Sequence, residues 1–316
     1  MKQRSVASQR WSRRRFLATS TVAAGAVAAG LGSCSTTPAD SGKPAPQLAA
    51  LFSPARILAA GIEQRIPFGL IDQGEPPPTE NGQYPVTITK DDKVYLREEV
   101  VGRIVTHDHP AGNADEAHQH ANLLRYFAVR ATLPEPGIYD LTLTVDGTDA
   151  TMAFQMFDPA EVVIPLPGQR FPDVRFPTLS QPLGMNPICT RLAGICPLHD
   201  VTIEEALETG SPVALLVATP ALCQTAYCGP VLEVLLGLAP DFPSIKFLHA
   251  EVYSNADVVE NNYLDDRILP SPTVSDLALT FEPSLFLLQS DRTIVDRIDN
   301  VYDNTELRGV LQALEG

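Results

Sequence analysis

Apolar and polar positions alternate with period two through much of the first half of the chain. In "GIYDLTLTV" (137–145), Tyr139, Leu141, Leu143 and Val145 fall on one face and Asp140, Thr142 and Thr144 on the other. That pattern predicts a half-buried strand. Asp146-Gly147 follows as a tight hairpin turn, and "TMAFQMF" alternates again through Met152, Phe154 and Met156. "RIPFGLID", "YPVTITKDDKVYL" and "RYFAVRATL" predict further strands. After a stretch punctuated by Pro165, Pro167, Pro172, Pro177, Pro182 and Pro187 the pattern changes. "PVALLVAT" is apolar throughout, as in a strand buried on both faces. Gly229-Pro230 opens "VLEVLLGL", an apolar helix with proline in its first turn. "IKFLHAEVY" is a strand, and "SLFLLQ" with "TIVDRI" forms an antiparallel pair. Thr202-x-x-Glu205 is a capping box for a helix that ends at Gly210, and Asp303-x-x-Glu306 caps a last helix, "TELRGVLQALE".

These patterns divide the chain. Residues 1–33 have the layout of an export signal: a basic start, then a modest run of Ala, Gly, Val and Thr. Arg13-Arg14 before Phe16-Leu17 resembles a twin-arginine signal, and Leu31-Gly32-Ser33-Cys34 resembles a bacterial lipobox. The resemblance implies that Cys34 is lipidated and anchors the mature protein to the outer face of the bacterial cytoplasmic membrane. Residues 34–50 then read as the lipidated cysteine and a flexible tether. Residues 51–164 read as an all-β sandwich, residues 165–188 as a Pro-rich linker, and residues 189–316 as an α/β domain. Within the first of these, Glu135-Pro136-Gly137-Ile138-Tyr139 resembles the tyrosine corner of immunoglobulin-like domains.

Charge narrows the partners. The 316 residues carry a formal charge of −15. The signal segment holds six cations and no acid, so its removal takes −15 to −21. Such a protein is repelled by nucleic acid. Contact with the membrane is expected through the N-terminal lipid alone, and the expected partners are exported proteins or redox partners.

Four cysteines remain beyond Cys34. Their close spacing favours Cys189–Cys196 and Cys223–Cys228 as disulfides. Tyr227-Cys228-Gly229-Pro230 resembles the W-C-G-P of thioredoxin-like proteins, and Glu282-Pro283-Ser284-Leu285-Phe286 resembles the segment that carries their cis-proline. The likeness covers about residues 185–316. It implies thiol-disulfide exchange, with Cys228 at a helix N-terminus as nucleophile, Cys223 as partner and Pro283 shaping the substrate groove. The chain departs from that pattern at Val231, where the family places its second cysteine. A cycling pair and a permanent clasp of the loop both remain open for Cys223–Cys228, and so does a redox-inactive scaffold. Cys189 and Cys196 read as a structural staple, and His199 and His249 as ordinary surface or strand histidines. A cysteine pair with a histidine also resembles the copper site of Sco-type assembly factors, but the spacing differs and neither histidine is singled out as the third ligand.

One loop carries a different chemistry. Four of the six histidines lie in "THDHPAGNADEAHQHAN", as His107-x-His109 and His118-x-His120. In an extended segment each pair puts both rings on one side, where they can share Cu or Zn. The alternative function is therefore a non-enzymatic lipoprotein that binds or delivers a metal.

Overall fold

A computed structural model describes residues 46–52, 56–71, 81–105, 124–223 and 227–315. The expected signal, Cys34 and the four loop histidines lie outside the described residues. Among the described residues, twelve strands form three four-stranded sheets. The first sheet contains β1 (Gln47–Ala50), β2 (Glu63–Ile71), β5 (Arg103–Val105) and β6 (Leu124–Thr132), in the order β1-β2-β6-β5. The second contains β3 (Gln83–Lys90), β4 (Lys93–Val101), β7 (Gly137–Val145) and β8 (Thr148–Met156), in the order β4-β3-β7-β8. Every pairing in these two sheets is antiparallel. Their alternating apolar positions meet in one core, where Phe68 stacks on Phe127 and Tyr139 on Phe154. The Tyr139 hydroxyl donates to the carbonyl of Glu135 at 2.9 Å, closing the turn in front of β7.

The third sheet contains β9 (Val213–Val217), β10 (Lys246–Ala250), β11 (Ser284–Leu288) and β12 (Ile294–Asp299), in the order β10-β9-β11-β12. Only β9 and β10 run parallel. Residues of β9 and β11 are buried throughout, which explains why both read as unbroken apolar runs. The helices are α1 (Ile203–Glu208), α2 (Cys228–Leu238), α3 (Ala256–Asn261), α4 (Pro272–Asp276) and α5 (Asn304–Glu315). Thr202 and Glu205 form the expected capping box of α1.

The expected fold class, an immunoglobulin-like sandwich followed by an α/β thioredoxin-like domain, is corrected here. The molecule is mostly β, with three four-stranded sheets and 19% helix, and shows no clear C-terminal thioredoxin arrangement. A parallel sheet needs a long crossover between each pair of strands, usually helical. The β9–β10 connection carries an 11-residue helix, whereas β10–β11 carries helices of 6 and 5 residues. Short apolar runs do not distinguish buried strand from buried helix, and a Cys-Gly-Pro with one later proline does not fix the helix and strand content of a chain.

The Pro-rich segment packs closely. Phe171, Val174 and Phe176 are buried, and Gly168, Gln169 and Phe171 exchange backbone hydrogen bonds with Ile294 and Arg292. Among the described residues no helix is long and apolar enough to cross a membrane.

Candidate metal centre and the neighbouring thiol pair

The edge of β10 organises the site. The N–H of His249 donates to the carbonyl of Leu198 at 3.0 Å, so residues 196–199 run beside that strand. Just upstream, Asn186 donates to the carbonyl of Ser254 and accepts from Ala256, pinning the Met185–Cys189 stretch to the chain beyond β10. These contacts bring Cys189, Cys196, His199 and His249 together, with their ligand atoms all within 4.8 Å of one another. All four side chains are buried.

The geometry fits an ion. Nε2 of His199 lies 3.2 Å from Nδ1 of His249 and 3.3 Å from Sγ of Cys196. Nδ1 of His249 lies 3.4 Å from Cys196 and 3.8 Å from Cys189. Bonds of about 2.05 Å to nitrogen and about 2.3 Å to sulfur in a tetrahedron require edges of about 3.3 Å (N–N), 3.6 Å (N–S) and 3.8 Å (S–S). The N–N spacing of 3.2 Å and the N–S spacings of 3.3, 3.4 and 3.8 Å lie close to these edges.

Protonation points the same way. His249 Nε2 is 3.1 Å from the carbonyl of Ala218, which accepts only from an N–H. The proton therefore sits on Nε2, and the Nδ1 lone pair faces the centre, the outer-shell bond that orients a ligating imidazole. His199 turns Nε2 inward, and its buried Nδ1 has no partner among the described residues. Two imidazole lone pairs at 3.2 Å repel unless a proton or cation lies between them. The hydrogen bond between the two cysteines pushes Cys189 down, while Cys196 is held up by its partner and by burial. Burial opposes a charge on either histidine; it leaves His199 low, while the Cys189 contact and Glu251 bring His249 above its ordinary value.

None of the four cysteines forms a disulfide. Cys189 and Cys196 stand as thiols against two imidazoles, where a staple was expected. His199 and His249, expected to be ordinary, complete the set and are 1% and 0% exposed. Three of the four ligands fall within residues 189–199, a Cys-x6-Cys-x2-His run that was open to notice in the sequence.

The second thiol pair sits at the start of α2. Tyr227 provides no side-chain cap there; the Cys228 N–H donates to Sγ of Cys223 at 3.3 Å instead. Cys223 is partly exposed and Cys228 is fully buried. Burial pushes the Cys228 thiol well up, and the Cys223 sulfur adds to the shift. This arrangement opposes the expected roles, since the sulfur that receives the helix N–H and meets solvent belongs to Cys223. Pro283 follows a cis peptide bond at the entrance to β11. Its predecessor Glu282 is buried and pushed well up, first by desolvation and then by the charge of Cys223. No protein-family model matches this sequence, and no curated protein is similar to it.

Proposed function

We propose that this protein binds a single d10 metal ion, Zn(II) or Cu(I), through Cys189, Cys196, His199 and His249. The observation that carries the reading is the set of four buried donor atoms within 4.8 Å of one another, with N–N and N–S spacings close to those of a tetrahedral site. Thiolate with imidazole suits zinc and copper, and hard cations such as Mg or Ca prefer oxygen. Four protein ligands close the coordination sphere, so the chemistry is holding, storing or handing on the ion. Arg13-Arg14 and the Leu31–Cys34 lipobox support a location on the outer face of the cytoplasmic membrane, with the body tethered by lipid.

The test is metal content and Co(II) spectroscopy on the purified chain. One equivalent of zinc or copper is expected, and Co(II) substitution should give intense sulfur-to-cobalt charge transfer. Cys196→Ser should weaken the band itself, and His249→Ala should sharply raise the Co(II) concentration needed to reach it. A protein that retains no metal and gives no such band would overturn the reading.

A second reading rests on the Cys228 N–H donated to Cys223 Sγ at the start of α2. It is thiol-disulfide exchange with exported proteins, with Cys223 attacking and Cys228 resolving the mixed disulfide. A redox titration decides it: a midpoint between about −270 and −120 mV belongs to an exchange pair, and one below about −300 mV to a permanent clasp.

A further inference from the structure

The loop that carries Cys189 and the loop that carries Cys223 share one buried carboxylate. Thr190, directly after Cys189, gives both its backbone N–H and its hydroxyl to Oε2 of Glu251, each at 2.8 Å. The same Thr190 oxygen accepts the N–H of Ala221 at 3.2 Å, two residues before Cys223. Thr219 stands beside it, hydroxyl to hydroxyl at 3.5 Å, and also donates to Glu251. The backbone of Thr219 in turn hydrogen-bonds the Cys228 thiol. Glu251 itself is 2% exposed and accepts the Val252 N–H as well. Donors from the two loops thus converge on the Thr190 hydroxyl and on the Glu251 carboxylate that fixes it.

We propose that metal loading at the Cys189–Cys196–His199–His249 centre regulates the reactivity of Cys223 through this Thr190–Glu251–Thr219 bridge. The inference rests on the metal reading given above. An ion holding the Cys189 sulfur fixes Thr190, and Thr190 fixes the Ala221 amide at the root of the Cys223 loop. Attack by a thiol reagent requires Cys223 to leave the Cys228 N–H, a local opening of that loop. A ligand that binds the closed arrangement lowers the population of the open one. The loaded protein therefore keeps Cys223 seated and unreactive, and the emptied protein releases it.

The experiment measures iodoacetamide labelling of Cys223 by peptide mass spectrometry, with and without one equivalent of Zn(II). Parallel Co(II) spectra report binding in the same protein. Zinc is expected to slow labelling at least about fivefold, the lower end of ordinary site-to-site coupling. Thr190→Val, which removes the hydroxyl but no ligand, should keep the Co(II) spectrum and lose the slowing; Thr190→Ser should keep both. Bound metal with a labelling rate unchanged within about twofold overturns the coupling and leaves the metal reading intact. Slowing that survives in Thr190→Val overturns the proposed route. A chain that binds neither ion overturns both.

Discussion

The four ligands come from two distant parts of the chain. Cys189, Cys196 and His199 lie within one short run and share a local cause, the turn that lays residues 196–199 along β10. His249 lies 50 residues from His199, and no spacing signal connects them. The pairing of its N–H with the Leu198 carbonyl, on the free edge of β10, places it at the centre. Replacing it is correspondingly severe. Altering outer-shell partners alone costs about 10- to 100-fold in affinity, so His249→Ala should weaken Co(II) binding by at least about 100-fold, read by competition with a chelating dye. The thiols should also separate by reactivity. In the native protein, labelling at Cys223 should outpace that at Cys189, Cys196 and Cys228 by at least about tenfold, because only Cys223 is not fully buried. Faster labelling of Cys228 would restore the roles expected from the sequence.

Among the elements, strands were read well and helices unevenly. Alternation marked β7 and β8, and unbroken apolarity marked β9 and β11, because each strand's environment imposes one pattern on its side chains. The short helices α3 and α4, of 6 and 5 residues, are too brief to show a helical period, so the balance of helix and strand is not legible from periodicity alone. Pairing between elements was also hidden. Arg65 on β2 makes a bidentate pair with Glu306 on α5, at 2.6 and 2.9 Å, and its guanidinium also reaches the carbonyls of Asp299 and Val301. Tyr126 on β6 donates to the same carboxylate at 2.7 Å. Arg65→Met leaves the largely covered Glu306 carboxylate without its bidentate partner and should cost about 3–5 kcal/mol, read from the urea midpoint. The pH dependence has a definite sign. Burial alone would raise Glu306, but Arg65 and Tyr126 more than offset it and hold the carboxyl below 4.5. A depressed folded-state value stabilises the protein above the unfolded value and is lost as pH falls below about 4.5. Acidification through that range should therefore loosen the β2–α5 contact, and Glu306→Gln should flatten this part of the stability profile.

At the scale of the molecule, the contacts between the first two sheets and the third are extensive and partly buried. Arg297 on β12 reaches back to the carbonyls of Ile57 and Pro165 at 2.7 and 3.0 Å, and Asn300 donates to that of Leu51 at 2.7 Å. One buried cluster includes residues of all three sheets, among them Phe68, Tyr139 and Phe286. Nothing in the local sequence announces such a seam, since each partner looks like an ordinary polar residue in its own strand. The consequence is cooperativity: calorimetric unfolding should show one transition, with equal calorimetric and van't Hoff enthalpies. Two resolved transitions would mean that the seam contributes little to stability.

The placement of the four ligands also bears on the unfolded chain. Cys196 and His249 are 53 residues apart, so an ion gripping both closes a long loop that the denatured protein would otherwise leave open. By the loop-closure estimate, tying off about 50 residues removes chain freedom equivalent to about 4 kcal/mol. The ion would then act as a reversible cross-link, joining segments that the chain itself keeps far apart. Its departure would free the slack of that whole loop, far beyond the few residues it touches.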